Sequence, residues 1–579
     1  MTPAFIEPVV DWFYLVPLLV VLGAGVVGVL IEAFVPDRVR RDVQLWLALA
    51  ALAGGLVAVV LQWDDINGAI ADQSVVQVLG GSLVLTPATL LIQGALLVIA
   101  TLALIVIADR SSGNDAFAPT AAAIPGSDYE EIARRRGLVQ TEVFPLFLFS
   151  VGGMLLFPAA GDLLTMFIAL EVLSFPLYVL SGMARHRRLL SQEASLKYFL
   201  LGAFSSALFL FGMALVYGFA GTLELRFIAN AIITGTGLEG MDMVLVTGLV
   251  LMIAGLLFKV GAVPFHQWTP DVYAGAPTPI TGFMAACTKM AAFGAVLRVV
   301  YWTVPFTGKE IFDAFTAGMW TIAIATMVLG SVVAVVQHDI KRVLAYSSIA
   351  HAGFILVGVT ALSYEAIPAT IFYLGAYGLA TVGAFAIVHL VRETSTVHGD
   401  DALILGEATH LSQWAGLARR SPWLAGAFTL FLLSFAGIPL TAGFIGKFTV
   451  FSAAVAAGDW PLALVGVLAS AVAVFFYVRI VVLMYFVAPA DEAAARTTTD
   501  TPAVDATDGS APEHWDTPEA GVGLRLATAP ARAAAGVQVL RGGAGIRVVV
   551  ALCALGTIAL GVFPGPVLDL VAEATKFIP

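Results

Sequence analysis

The chain has 579 residues, 59% of them apolar and only 12% charged, with a mean hydropathy of +0.94. A water-soluble domain has an apolar share nearer one half and about twice that density of charge, so a soluble enzyme is excluded and the membrane is the expected solvent. The net charge of −11 comes from acids dispersed over loops and a polar segment near residues 490–540, not from one acidic tail. Membrane lipids are therefore expected as partners and nucleic acid is not.

The first residues, MTPAFIEPVVDWFYLVPLLV, lack a basic leading region and a small-residue cleavage site, so the first apolar stretch is expected to be retained as a span. A membrane helix needs roughly 20 apolar residues. In chain order such stretches fall near 12–35, 44–62, 85–108, 140–158, 162–182, 197–220, 243–264, 280–303, 314–336, 343–362, 366–391, 423–453, 461–486 and 544–565. They predict an all-α polytopic membrane protein of about fourteen transmembrane helices.

The arginine-rich loops DRVRRD, IARRRG, ARHRRLL, HDIKR and LARR all follow odd-numbered spans, whereas loops such as QWDDINGAIADQ are poor in Lys and Arg. This bias puts the odd loops in the cytoplasm and both termini outside.

The stretch KYFLLGAFSSALFLFG (197–212) is echoed by IFYLGAYGLATVGAFA (371–386) at an offset near 174, and FKVGAVPF (258–265) by SFAGIPLT (434–441). Two five-helix repeats, 140–303 and 314–486, are expected, inverted with respect to one another and containing broken helices. A three-helix segment with a cytoplasmic loop, 1–135, precedes them. A polar, poorly ordered cytoplasmic loop at 487–543 and a last helix with the C-terminus at 544–579 follow.

Cys287 and Cys553 are the only cysteines, each in an apolar run. They offer no ligand set for zinc, haem or an iron–sulfur cluster, so no metal or cofactor is expected in this chain.

Lysine is scarce, seven against twenty-two arginines, yet Lys197, Lys259, Lys289 and Lys447 sit in or at the edge of apolar spans. Arginine stays charged, whereas a desolvated lysine can release its proton, so lysine can relay protons where arginine cannot. An ionisable group in mid-bilayer costs on the order of 3 kcal/mol and persists only with a partner, a water-filled cavity or a function.

Glu171 lies near the centre of GDLLTMFIALEVLSFPLYVL, where Asp162 is expected to cap the helix start and Pro176 to loosen the turn beyond the glutamate. Its expected compensation is an ion pair or hydrogen bond with a lysine. Lys197 has Glu193 at i−4, so an ordinary surface pair competes with a relay role.

Lys259 stands just before Gly261 and Pro264, and a proline removes a backbone donor, so the helix should break beside the lysine. Lys447 repeats the arrangement, following Gly437 and Pro439. Broken helices at membrane depth are the usual construction of a midplane ion site. His266, His338 and His351 are candidates for bridging water wires. Asp339, Lys341 and Arg342 are explained by anchoring a loop at the membrane boundary.

The motifs GDLLTMFIALEVLSFPLYVL, FKVGAVPFHQWTPDVYAGAPTPITGFMAACTKM, QHDIKRVLAYSSIAHAGF and GIPLTAGFIGKF resemble the antiporter-like subunits of respiratory complex I, the proton-pumping NADH:quinone oxidoreductase. The resemblance covers roughly residues 10–565 apart from the polar loop, and WTPDVYAGAPTP is similar to the N-type members. It implies that Glu171 pairs with Lys259 in a first half-channel, Lys289 links onward, Lys447 serves a second half-channel and Lys197 modulates the first.

It also implies a bacterial inner membrane, K-type and M-type membrane subunits as neighbours, and NADH, FMN, iron–sulfur clusters and quinone held by other subunits. Two departures, the insert near 109–139 and the loop at 487–543, bear on assembly contacts. A cation/proton antiporter of the Mrp type and a non-transporting scaffold are the alternatives.

Overall fold

In lipid every backbone polar group must be satisfied internally, so apolar stretches of this length fold as helices. The computed structural model describes residues 10–71, 75–110, 116–118, 140–185, 187–238, 240–396, 402–488 and 535–575. Its first helices are α1 (Trp12–Phe34), α2 (Asp37–Ala71), α3 (Pro87–Ile107), α4 (Val143–Leu156), α5 (Leu163–Ser181) and α6 (Arg188–Ala220). A short α7 (Leu225–Thr234) precedes α8 (Asp242–Val260), α9 (Trp268–Gly275) and the span α10 (Thr278–Phe306). Then come α11 (Lys309–Val335), α12 (Ile340–Thr360), α13 (Ala366–Leu390), α14 (Pro422–Ala436), α15 (Ala442–Ala456), α16 (Trp460–Phe486), α17 (Ala544–Val562) and α18 (Gly565–Ala574).

Among the described residues, twelve helices are long and apolar enough to cross a membrane. The stretch expected at 140–158 forms the shorter α4, and 423–453 is not one helix but the two half-helices α14 and α15. The chain is mostly helical with small sheets in addition. A hairpin pairs β1 (Val76–Val78) with β2 (Leu83–Leu85), and β3 (Val391–Thr396) pairs with β4 (Ala402–Glu407) and β5 (Ala535–Val539). The segment read as a poorly ordered loop at 487–543 thus contributes a strand at its end. Residues 489–534 lie outside the described residues, as does most of the 109–139 insert, of which Phe117 bridges Ala184.

Two runs of five helices share one order. The first is α4, α5, α6, the interrupted pair α8/α9 and α10; the second is α11, α12, α13, the interrupted pair α14/α15 and α16. Spans α10, α12 and α13 are buried almost all round, whereas α1, α2, α6, α11 and α16 expose much of their surface. The centre of the bundle is therefore where polar side chains are withdrawn from lipid.

Candidate functional site

Helix α8 stops at Val260 because Gly261 takes a left-handed φ of +80°, which glycine adopts without a Cβ clash. The Gly261 and Ala262 amides turn back onto the Leu257 and Phe258 carbonyls. Trp268 Nε1 also donates to the Phe258 carbonyl at 2.9 Å. Pro264 lacks an N–H, and helix resumes only at Trp268. The expected break beside Lys259 is present.

Lys259 is 3% exposed. Its Nζ donates to Ser174 Oγ at 2.7 Å and to Tyr198 OH at 3.1 Å, and it faces the rings of Tyr198 and Tyr178 at 5.0 and 5.6 Å. Hydrogen bonds to a charged group are each worth about 1.5–3 kcal/mol, which is of the size needed to offset burial of an ammonium.

The expected Glu171–Lys259 ion pair does not form in the structure. Ser174, one turn beyond Glu171 on α5, stands where Lys259 arrives, and Glu171 Oε1 is buried without a hydrogen-bond partner. Asp162 does cap α5, accepting the Thr165 amide at 2.7 Å.

Lys289, 4% exposed, follows a π-helical turn, Met284–Thr288, within α10. Its Nζ donates to Ser348 Oγ at 2.7 Å and to the Ser348 carbonyl, and lies 5.4 Å from the Tyr377 ring. Tyr273 OH is 3.3 Å from the same Ser348 hydroxyl. Between the Lys259 and Lys289 groups lies the Trp268 indole, stacked on Tyr198 with centroids 4.6 Å apart and 6.4 Å from Tyr273.

His351 is buried on α12 one turn beyond Ser347. Its Nδ1 is 2.8 Å from Tyr373 OH and its Nε2 3.3 Å from Tyr477 OH, which in turn bonds Ser347. A neutral imidazole can donate through one nitrogen and accept through the other. The ring packs 4.8 Å from Tyr377, which touches Lys289, and 5.5 Å from Phe435.

The second break repeats the first. Helix α14 ends at Gly437, φ +81°, and α15 begins at Ala442. Lys447 Nζ reaches back to the carbonyls of Phe435 and Ala436 at 2.8 and 3.1 Å and to Ser470 Oγ at 2.8 Å, over the Phe354 ring at 4.7 Å. Carbonyls released by the interruption thus serve as the lysine's acceptors.

Other expected residues lie off this line. Lys197 is 40% exposed and pairs with Glu193 at 2.6 Å and Asp271 at 2.7 Å. His338 stacks on His410 at 6.2 Å. His266 sits in the first break with Nδ1 buried and unpartnered.

Lys341, at the start of α12, is buried and ties two loop segments to the span. It is 1% exposed and donates to the Ala276 carbonyl at 2.7 Å and Glu407 Oε2 at 3.2 Å. Burial alone would raise the Glu407 carboxyl, but Lys341 and Arg392 hold it well below the usual carboxylate range. Asp339 caps α12, accepting the amides of Lys341 and Arg342. Sequence reasoning passed over Ser174, Tyr198, Tyr273, Ser348, Tyr373, Tyr377 and Tyr477. The available signal was hydroxyl and imidazole groups four residues apart in apolar spans, Ser347 with His351 and Tyr373 with Tyr377.

Two interrupted helices in a membrane bundle, each with a buried lysine at its break, define an antiporter-like membrane subunit. The profile of the NADH:quinone oxidoreductase/Mrp antiporter transmembrane family matches residues 160–473. NADH-quinone oxidoreductase subunit N of Beutenbergia cavernae is 56% identical across 99% of this chain and 99% of its own. The chain belongs to this family, in its subunit N branch. A chain of respiratory complex I from Thermus thermophilus is 28% identical with a TM-score of 0.67, over 96% of this chain and 99% of that one. A chain of the Mrp complex from a Dietzia species shares the fold, with a TM-score of 0.69 at 21% identity over 96% of this chain and 97% of that one.

Proposed function

We propose that this chain is the proton-translocating subunit N in the membrane arm of a bacterial inner-membrane NADH:quinone oxidoreductase. Electron transfer from NADH to quinone in other subunits would be coupled to proton transfer through Glu171, Lys259, Lys289 and Lys447, with His351 as a relay. Two cysteines cannot ligate an iron–sulfur cluster of the four-cysteine kind, and on this reading NADH, FMN, iron–sulfur clusters and quinone belong to other subunits. K-type and M-type membrane subunits are the expected neighbours. The arginine-rich loops put both termini outside, and the two five-helix runs are read as inverted repeats.

The observation that carries this reading is the row of buried donors and acceptors between the two breaks. Ser174, Lys259 and Tyr198 form one hydrogen-bonded group, Tyr273, Ser348 and Lys289 a second, and Tyr373, His351, Tyr477 and Ser347 a third beside Lys447. Direct proton transfer needs partners about 3 Å apart. The aromatic intervals at Trp268 and at Phe435 are therefore the steps that bridging water must complete. Lys197, paired with two carboxylates, acts by field rather than as a carrier.

Moving one charge against the membrane potential takes about 2.3 kcal/mol per 100 mV. Remaking hydrogen bonds to one buried ammonium is of that order.

The test is acidification by sealed inner-membrane vesicles carrying Lys259→Ala, with assembly and NADH oxidation measured in the same preparation. Loss of pumping in a fully assembled complex is expected; undiminished pumping would leave the subunit a scaffold.

A further inference from the structure

The β1–β2 hairpin, the loop before α5, the start of α7 and the last turns of α10 meet around a cavity of about 450 Å³ that the proton path does not use. Arg298, near the end of α10, lines it while only 9% exposed. One nitrogen, Nη2, donates to the Val84 carbonyl and to Thr89 Oγ1, both at 2.9 Å. Arg298 has no carboxylate partner among the described residues. A buried guanidinium is ordinarily paired, because an uncompensated charge is expensive to desolvate.

Arg226 and Glu224 line the same cavity, and neither forms an ion pair among the described residues. Arg226 rests on the Phe227 ring at 4.6 Å, and the Glu224 carboxylate lies against Gly81. Two guanidinium groups less one carboxylate leave one net positive charge among the described lining residues.

We propose that this cavity is a binding site for the phosphodiester headgroup of an anionic membrane phospholipid. A guanidinium presents its donors as a planar fork that matches phosphate oxygens. One phosphodiester charge balances the cavity, and a headgroup bearing hydroxyls, as phosphatidylglycerol does, supplies the donors that the Glu224 carboxylate lacks. A lipid is favoured over free phosphate because the cavity sits where spans end, at headgroup depth, with the interfacial indole of Trp302 and apolar Val75 and Leu225 in its wall. Phosphatidylcholine, with no net charge and no hydroxyl or amine hydrogen to donate, fits less well.

The assembled, detergent-washed complex, in wild-type form and carrying Arg298→Gln, is mixed with phosphatidylglycerol, and retained lipid is counted by native mass spectrometry. Wild type is expected to hold one more phosphatidylglycerol than the variant, whose site binds roughly tenfold more weakly for loss of a charge-assisted contact. Phosphatidylcholine should not show that difference, and millimolar inorganic phosphate should not displace the lipid. Equal retention by both forms overturns the site, and displacement by inorganic phosphate overturns its assignment to lipid. Should Arg298→Gln fail to assemble, Arg226→Gln, on the exposed arginine of the same cavity, makes the same comparison.

Discussion

Gly261 and Gly437 close their half-helices with the same backbone and the same hydrogen bonds. Their φ angles are +80° and +81°, and each glycine amide and the amide after it turn back onto carbonyls three to five residues earlier, at 3.0 Å throughout. A left-handed residue with a Cβ is strained by about 1–2 kcal/mol. Gly437→Ala would also put its Cβ 3.0 Å from Lys447 Cδ and 3.4 Å from Nζ, whereas Gly261→Ala would meet Thr269 Oγ1 at 2.9 Å. Both variants should lower the thermal midpoint of the purified complex. Gly437→Ala should in addition reduce protons moved per NADH oxidised, and an unchanged ratio would mean that the turn does not locate Lys447.

Tyr373 and Tyr477 each bond one ring nitrogen of His351. Replacing both with phenylalanine leaves the imidazole in place but removes the hydroxyls that bond it, which in the proposed path would hand protons to and from it. A lost hydrogen bond of about 1 kcal/mol at each nitrogen predicts a slowing of coupled turnover by roughly tenfold or more for the double variant. Assembly and flavin-site NADH oxidation with an artificial acceptor should be unchanged. Wild-type rates of vesicle acidification in the double variant would remove His351 from the path.

The breaks were legible in the sequence because Gly261, Pro264, Gly437 and Pro439 are local signals, each acting on its own backbone. The buried lysines were legible for a similar reason, since a charge inside an apolar run needs no partner to be noticed. What each lysine bonds was not. Lys259 was matched with the one mid-span carboxylate, but an acid and a base on different helices do not specify which turn of each faces the other, and Ser174 rather than Glu171 receives the ammonium. The acceptors of Lys447 are main-chain oxygens, which no residue type announces. The burial of Lys341 and its carboxylate partner were not legible, because a charge at a span's edge reads equally well as an exposed loop anchor. Only the return of β4, 66 residues on, puts Glu407 against it.

Glu407 gives a pH dependence with a definite sign. Its folded value lies below its unfolded value, so its contribution to stability is fully present above the unfolded carboxylate value near 4.3 and is lost as pH falls through the folded value. Above about pH 5 the Glu407 carboxylate itself adds no slope to stability. Glu407→Gln takes the carboxylate away from the buried Lys341 ammonium, a loss on the order of 3–5 kcal/mol. Thermal melts of the two forms should be well separated at neutral pH, and the separation should shrink progressively only as pH falls below about 4. A separation that persists unchanged in acid would show that the carboxylate charge is not what holds the cluster together.

Lys447→Arg separates charge from proton transfer. The Phe435 and Ala436 carbonyls and Ser470 can accept from a guanidinium as well as from an ammonium, and the Phe354 ring offers a face to either cation. Arginine therefore keeps the positive charge and some of the hydrogen bonds at the second break, yet it does not release its proton in a protein. If Lys447 acts as a fixed charge that stabilises the broken helix, Lys447→Arg should pump much as wild type does and Lys447→Met should not. If it carries a proton, both substitutions should abolish pumping through this subunit while the arginine form still assembles. Vesicle acidification measured against NADH oxidation for the two variants side by side distinguishes these cases, and the proton-path reading requires the second.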